Sequence, residues 1–214
     1  MTRIAVLGGT GYAGSHIVAE AARRGHTVTS YSRSVPADAL AGVDVVTGSV
    51  LDDALLARSV AEADVVVSAL SPRGELEGRL EGVAERLMTL ARRSGVRLGV
   101  IGGAGSLLVA EGGPKLMDTE GFPAEILPEV RTGEALLDAL RSTDEDLDWF
   151  YVSPAGGFGS WAPGEATGTF RTGGDVLLTD EEGSSFISGA DLATAVVDEI
   201  ETPAHSRRRF TVAY

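Results

Sequence analysis

The sequence predicts an α/β protein with a doubly wound parallel sheet, and two observations support this class. Short apolar segments alternate with helical segments from the first residues onward, and most of the apolar segments are nearly continuous rather than alternating. Strands buried on both faces give such runs, and strand–helix alternation is typical of parallel sheets. With 214 residues the chain has enough length for one well-filled core. We therefore expect a single domain over residues 1–214.

In the first half of the chain, the pattern of apolar residues predicts five strands and three helices. The strands are expected at residues 3–7, 27–31, 43–47, 64–68 and 96–101. The helices are expected at residues 11–24, 52–59 and 75–94, with a short helix or loop near Pro36. Gly25 would end the first helix, because glycine readily adopts the left-handed conformation that follows many helices.

The second half combines the same pattern with two glycine-rich stretches. Residues 102–130 have little periodicity, and a loop of that length inside a domain is usually functional. The expected helices are 131–141 and 189–201, and the expected strands are 149–152, 175–179, 185–187 and 209–213. The second glycine-rich stretch covers residues 153–174. Ser188 is a predicted N-cap, with Asp191 in the capping-box position.

Composition excludes several kinds of protein. The chain has no cysteine, which rules out disulfides, thiolate catalysis and zinc–thiolate sites. Its formal net charge of −13 opposes non-specific nucleic-acid binding, which needs a positive field. No apolar run approaches the ~20 residues of a membrane span, and no export signal is recognised. We expect a cytoplasmic protein, without membrane attachment.

A glycine-rich turn follows the first strand, Gly8-Gly9-Thr10-Gly11-Tyr12-Ala13-Gly14. Glycines at 8, 11 and 14 between a strand and a helix form a dinucleotide-binding fingerprint of a Rossmann-type domain. They allow a tight turn, approach of a pyrophosphate to the backbone, and close helix–strand packing, while the helix N-terminus attracts the phosphates. Thr10 could add a hydroxyl donor. The alternative is a plain glycine-rich turn without a ligand.

The end of the second strand indicates which cofactor is preferred. NAD-binding proteins commonly carry an acidic residue there for the ribose 2′-hydroxyl. Here Ser30-Tyr31-Ser32-Arg33-Ser34 has no acid, and the Arg33 guanidinium suits a 2′-phosphate. NADP(H) is therefore the predicted cofactor and NAD(H) remains possible. The alternative is that Arg33 is a solvated loop residue.

Together with the glycine turn, three later segments give the chain a family resemblance. They are Gly-Ala-Gly-Ser at 103–106, Leu-Asp-Trp with Ser-Pro-Ala-Gly-Gly-Phe within 147–158, and Phe-Ile-Ser-Gly-Ala-Asp-Leu-Ala at 186–193. Over essentially its whole length the chain resembles the atypical short-chain dehydrogenase/reductases. Within them it is similar to the NAD(P)H-binding subgroup often described as NADH-flavin reductases, which neighbours NmrA-like regulators and biliverdin/flavin reductases.

The resemblance implies a sheet of order 3-2-1-4-5-6, to which a small C-terminal strand is added. It implies that Ser68, Ala69 and Leu70 line the adenosine-ribose and pyrophosphate side of the cofactor. Residues 102–106 and 153–158, including Gly103, Ser153 and Pro154, would flank the nicotinamide. The segments 102–130 and 153–187 would then lie on the substrate side.

One feature departs from typical short-chain dehydrogenases, which use a Tyr-x-x-x-Lys pair. None of the four tyrosines has a lysine four residues later, and the sole lysine is Lys115. Where the resemblance places the lysine, the sequence has Thr132-Gly133-Glu134. Reduction of a carbonyl leaves an alkoxide that needs a positioned acid. A flavin needs only hydride delivery, because its ring can take a proton from water, so orienting two flat rings supplies most of the catalysis.

Other candidate residues lie in the glycine-rich stretches. Ser106 is the candidate catalytic residue, orienting the nicotinamide or donating to the acceptor, although a serine there could equally cap a loop. Phe158 and Trp161 could stack on a flat acceptor, or belong to the local core. Three dispersed histidines without clustered acids predict no metal site.

Two functions remain open. The first is a reductase that passes hydride from NADPH to a flavin or a similar flat small-molecule acceptor. The second is a non-catalytic NADP-binding redox sensor that acts through a protein partner, in the manner of NmrA-like regulators. A homodimer is compatible with either.

Overall fold

In this computed structural model, which describes residues 1–35 and 39–214, the chain forms eight strands and five α-helices. The strands are β1 (Arg3–Leu7), β2 (Thr27–Ser32), β3 (Val43–Thr47), β4 (Val65–Ser68), β5 (Arg97–Ile101), β6 (Trp149–Pro154), β7 (Arg171–Gly173) and β8 (Arg208–Ala213). The helices are α1 (Tyr12–Arg23), α2 (Asp53–Ala61), α3 (Leu80–Ser94), α4 (Leu127–Arg141) and α5 (Gly189–Glu201). The element expected near Pro36 lies outside the described residues.

All eight strands join one sheet in the order β3-β2-β1-β4-β5-β6-β8-β7. The pairs from β3 to β8 are parallel, and only β7 runs antiparallel, against β8. The order reverses between β1 and β4, so the crevice between the turns after these strands lies at a topological switch point. The predicted Rossmann-type sheet is confirmed. The C-terminal strand β8 extends it beyond β6.

Helices cover both faces of the sheet because successive strand residues point in opposite directions. Ile4 and Val6 of β1 belong to a core shared with α1 and α5, whereas Ala5 and Leu7 belong to a core shared with α2, α3 and α4. All four side chains are almost completely buried. The near-continuous apolar strands thus feed two separate cores. None of the helices in the described residues is long and apolar enough to cross a membrane.

Two helix boundaries differ from the expectation. The helix expected from residue 75 begins at Leu80, because Gly78 adopts a left-handed φ of +66° and separates it from a short 3₁₀ turn, Gly74–Leu76. Helix α4 starts at Leu127, earlier than the expected residue 131, with Pro128 in its first turn. Proline is compatible with that position, where the backbone N–H would have no partner in the helix.

The small strands were also predicted at the wrong residues. The regular strand is β7, whereas Val176 and Phe186 form only isolated bridges, to Leu108 and Gly157. Strand β7 lies at the edge of the sheet and its side chains are largely exposed, so it lacks the apolar pattern by which a buried strand is recognised.

The start of α5 differs from the predicted capping box in one hydrogen bond. Ser188 caps the helix as predicted and accepts from the Asp191 amide at 3.1 Å. The Asp191 carboxylate does not close a capping box. It accepts from the Tyr214 hydroxyl at 2.6 Å and from the Thr167 and Gly168 amides, and the Ser188 amide donates to Tyr214 instead. The Tyr214 hydroxyl therefore takes the place that the Asp191 carboxylate would have in a capping box, as the acceptor for the Ser188 amide.

A buried ion pair lies at the amino ends of the strands, opposite to the glycine turn. Arg97, at the start of β5, donates to the Glu199 carboxylate at 2.6 Å and to its backbone carbonyl at 2.7 Å. Glu199 also accepts from the ring and the amide of His205 and from the Ala204 amide. Burial raises the pKa of Glu199, but the hydrogen bonds from Arg97, His205 and Ala204 outweigh it and hold that pKa below its usual value.

We predict that Glu199→Gln lowers the free energy of unfolding by about 3 kcal/mol at pH 7, because Arg97 loses its buried anionic partner and keeps only the more exposed Asp148 carboxylate, at 3.0 Å. A lowered pKa in the folded state stabilises only where the carboxylate is ionised. The deficit should therefore shrink as the pH falls below the ordinary value of 4.5. Urea denaturation at several pH values measures both effects.

Glu62→Gln is the matched control, since Glu62 forms an exposed pair with Arg58 on α2. It should change the free energy of unfolding by less than about 1 kcal/mol. Equal losses in the two variants would contradict a stabilising role for the buried pair.

Candidate cofactor and acceptor site

The glycine turn holds helix α1 directly against the end of β1. Gly8 has a left-handed φ of +80°, and a Cβ there would lie 2.7 Å from the Ala69 carbonyl oxygen. A Cβ on Gly14 would lie 2.2 Å from the Gly8 carbonyl oxygen. A Cβ carbon cannot come that close to a carbonyl oxygen, so only glycine fits at either position. The sequence-based roles of these two residues, tight turn and close packing, agree with this geometry.

The N-terminus of α1 is left open toward the turn. Gly11 is the N-cap residue and provides no side-chain hydrogen bond, and the first turn of the helix contains no acidic residue. The first amides of a helix lack intrahelical partners and carry a partial positive charge. An N-terminus without a capping side chain fits the phosphates of a dinucleotide. Tyr12 and Ala13 begin the helix at this point.

Two connected cavities lie around the turn. The first, here called the main cleft, has a volume of about 680 Å³ and runs from the turn across the ends of β4, β5 and β6 to α4. The second, here called the side pocket, has a volume of about 330 Å³ and lies beyond Gly8 and Thr10, against the end of β2. They adjoin through the residues that line both: Gly11, Ala69, Leu70, Ser71 and Arg73. The combined shape suits an extended ligand.

Two arginines line the side pocket. Arg33 follows β2 and leaves 72% of its side chain exposed, and its nearest acidic partner, Glu75, is 3.9 Å away. Arg73, after β4, pairs more firmly with Glu129 of α4 at 2.7 Å. Only Arg33 was singled out from the sequence. Arg73 could have been found from its position just past the end of a buried parallel strand, the edge where such sheets bind ligands.

The floor of the main cleft is formed by Tyr151 of β6. Its hydroxyl donates to the Gly133 carbonyl of α4 at 2.9 Å. A Cβ on Gly102 would lie 1.8 Å from that hydroxyl, so the glycine after β5 makes room for it. Burial raises the pKa of Tyr151 to about 12. The sequence gives no signal for this role, because no lysine lies four residues after Tyr151.

Through Glu134, the sole lysine reaches the segment in which the family resemblance places a lysine. Lys115 comes from the loop after β5 and its ammonium group pairs with Glu134, a residue of α4 that lines the main cleft. This hydrogen bond raises the pKa of Lys115. The tertiary structure thus brings a lysine close to α4, although α4 itself has no lysine. The Glu134 carboxylate neutralises its charge.

Ser106 lines the main cleft but is largely buried. The guanidinium of Arg209 donates to its hydroxyl oxygen at 2.9 Å and to its carbonyl oxygen at 3.2 Å. Arg209 is held in turn by Asp175. A hydroxyl that accepts from an arginine keeps its own proton free to donate elsewhere.

The segment after β6 closes the outer side of the cleft. Phe158 packs against the Tyr12 ring with a centroid distance of 5.2 Å, whereas Trp161 is 73% exposed at the rim. The Tyr12 hydroxyl donates to the Pro163 carbonyl at 3.2 Å and accepts from the Gly189 amide at the same distance. Tyr12 thereby links the glycine turn to the loop after β6.

The predicted site residues are brought together with three exceptions. Thr10 and Arg33 line the side pocket, Ala69 and Leu70 line both cavities, and Gly103 and Pro154 line the main cleft. Gly14 acts through packing. Ser68 faces a small apolar crevice beside α3, and Ser153 is fully buried in β6. The side chains of Ser68 and Ser153 do not face the cleft. Successive residues of a strand point to opposite faces of the sheet, and these two point into its packed layers.

Comparison with known proteins agrees with this arrangement. The model of the NAD(P)H-binding family matches residues 8–203, which is most of the chain. The chain belongs to the NAD(P)H-binding family. The match begins at the glycine turn and extends through α5, so it includes every wall of the main cleft.

Relatives of similar length are found in several bacteria. The chain is 38% identical to the uncharacterized protein YwnB of Bacillus subtilis, over 98% of this chain and 97% of that one. A structure from Burkholderia pseudomallei, described as a "putative exported protein", is 44% identical with a TM-score of 0.87 and full coverage of both chains. A "putative NADH-flavin reductase" from Streptococcus pneumoniae is 33% identical with a TM-score of 0.87, covering 100% and 99% of the two chains. The cytoplasmic location stays a prediction.

We predict that Gly14→Ala weakens binding of NADPH at least about tenfold and lowers the free energy of unfolding by about 1–3 kcal/mol, because the new methyl group forces α1 away from β1. Nucleotide titration and thermal unfolding measure the two effects.

Gly82→Ala provides the matched control. Gly82 lies on the exposed side of α3 and nothing is within 4 Å of a Cβ built there. Its replacement should leave NADPH binding unchanged and raise stability by up to about 1 kcal/mol, since alanine favours helix. Normal NADPH affinity in the Gly14 variant would refute the close-packing role.

Proposed function

We propose that this protein is an NADP(H)-dependent reductase that transfers hydride from NADPH to a flavin or a similar flat acceptor. The observation that carries the proposal is that both tyrosines lining the main cleft use their hydroxyl protons for backbone carbonyls. Tyr12 donates to Pro163 and Tyr151 to Gly133. A tyrosine with a pKa near 12 is also a poor proton donor at neutral pH. The acceptor that fits best is one needing no protein acid.

Several residues of the turn would hold the cofactor. The open N-terminus of α1 supports binding of the pyrophosphate, and Thr10 could add its hydroxyl. Ala69, Leu70, Gly103 and Pro154 would line the path of the dinucleotide between the two cavities. When bound, NADPH supplies the hydride. The protein's contribution is to hold the two rings in contact, since orientation is the main requirement of this reaction.

Ser106 would act from the floor of the cleft. Because Arg209 donates to its oxygen, its proton remains available for the nicotinamide amide or a polar atom of the acceptor. Phe158 and Trp161 would provide aromatic surface on the opposite side, where a flat ring can stack. Parts of the segments 102–130 and 153–187 line the cleft, and we propose that these parts bind the acceptor.

A second candidate is a redox sensor that binds NADP(H) without catalysis and signals through a protein partner. The observation that favours it is Trp161, a large aromatic residue that is 73% exposed at the rim of the cleft. Exposed tryptophans are enriched at sites of protein association. In this case Trp161 would contact the partner rather than the acceptor.

The two functions are separated by mixing the purified protein with NADPH and a flavin and following the loss of absorbance at the nicotinamide band. We expect turnover clearly above the buffer rate, with affinity for NADPH in the range usual for cofactors. Tight binding of NADPH without turnover of riboflavin, FMN or FAD would reject the reductase and favour the sensor.

Arg33→Ala tests the cofactor preference. If the guanidinium contacts the 2′-phosphate, we expect NADPH binding to weaken by about 10- to 100-fold, which corresponds to the free energy of one charge-assisted hydrogen bond. NADH has no 2′-phosphate, so its binding should change little. Fluorescence titration with both nucleotides measures this difference. Arg58→Ala, on α2 outside both cavities, is the charge-matched control and should bind both as the wild type does. Equal losses of NADPH and NADH would rule out a phosphate contact.

A further inference from the structure

The acceptor side of the main cleft differs in charge from the cofactor side. Its outer wall is mainly apolar, formed by Phe122, Pro123, Ile126 and Trp161. Within the part of the chain that the structure describes, the ionisable residues lining the cleft beyond the tyrosines are three glutamates and one arginine: Glu125, Glu129, Glu134 and Arg73. The wall is therefore apolar and acidic.

The basic groups at this end are already occupied. Arg73 is bound to Glu129 at 2.7 Å, and Lys115 is bound to Glu134 from outside the cleft. Glu125 is exposed and forms no ion pair among the described residues. With two cations against three carboxylates, this end carries a net negative charge. Among the described residues, no unpaired cation lines this end of the cleft.

The side toward the glycine turn has the opposite character. Arg33 is largely exposed in the side pocket, and the open N-terminus of α1 adds a partial positive charge. The phosphates of the dinucleotide are matched at that end. A second phosphate, carried by the acceptor, would meet only carboxylates or would have to displace Glu129 from Arg73.

We propose, on the basis of the reductase function above, that the acceptor is an uncharged flat ring compound without a phosphate, of the class of riboflavin rather than FMN or FAD. A phosphate monoester carries a charge of about −1.5 to −2 at pH 7, which the glutamates repel. The apolar wall and Trp161 favour the ring itself. The carboxylates thus select against the phosphorylated forms of the same chromophore.

The test compares riboflavin with FMN in binding and in turnover. Flavin fluorescence in the presence of saturating NADP⁺ gives dissociation constants without any reaction, and NADPH oxidation gives kcat/KM. At low ionic strength we expect riboflavin to be favoured over FMN by about fivefold or more, both in the dissociation constant and in kcat/KM. This is the size of effect expected from repulsion between partly screened charges at close range. The ratio should fall toward one at about 0.5 M salt.

Two variants locate the charges responsible. Glu125→Gln, at an exposed position, should lower the riboflavin-to-FMN ratio about twofold, and Glu125→Gln/Glu129→Gln should lower it further because it also frees Arg73. Glu81→Gln on α3 removes the same charge outside the cleft and should leave the ratio unchanged. This control separates the local carboxylates from the field of the whole molecule.

The possible results separate a failure of the riboflavin preference from a failure of the reductase function. FMN turned over as well as or better than riboflavin would overturn this inference and leave the reductase standing. An unchanged ratio in both glutamate variants, or an equal fall in the Glu81 variant, would also overturn it. If neither flavin is bound or reduced, the proposed function fails and this inference fails with it.

Discussion

The contact between the start of α1 and the end of β1 is the constraint on which the rest of the site depends. Gly14 and Gly8 allow a distance that no side chain could tolerate. Because the helix lies so close, its uncapped N-terminus faces the crevice where the strand order reverses. The same helix places Tyr12 between the turn and the segment after β6. One close approach therefore aligns the proposed phosphate-binding end with the proposed acceptor end of the cleft.

The ion pairs at the amino ends of the strands differ from those at the carboxyl ends. At the amino end of β5, Arg97 and Glu199 are buried and joined by two hydrogen bonds, and Glu199 also accepts from His205 and Ala204. At the carboxyl ends of the strands, the ion pairs Arg73–Glu129 and Lys115–Glu134 are partly exposed and line or adjoin the cleft. Buried pairs are costly to break, whereas exposed pairs contribute little to stability. Adaptable groups are thus located where a ligand would bind.

Much of the fold followed from local pattern. The strands β1 to β6 and α1, α2 and α5 were predicted with boundaries close to those observed, because buried parallel strands and amphipathic helices leave clear periodicities. The misplaced elements had weaker signals. Helix α3 is shortened by the left-handed Gly78, α4 is extended through a proline in its first turn, and β7 is an exposed edge strand of three residues.

The site was predicted unevenly for the same reason. Around the glycine turn, the residues that shape the backbone follow one another within one short segment, so the sequence by itself determined the sheet class and the family. It also predicts where the phosphates of a dinucleotide would bind. The acceptor end is built from pairs far apart in the chain, such as Arg73 with Glu129, Lys115 with Glu134 and Ser106 with Arg209. Only the tertiary structure decided these partners, because loop closure brings such residues together through the packing of whole elements and leaves no local pattern to read.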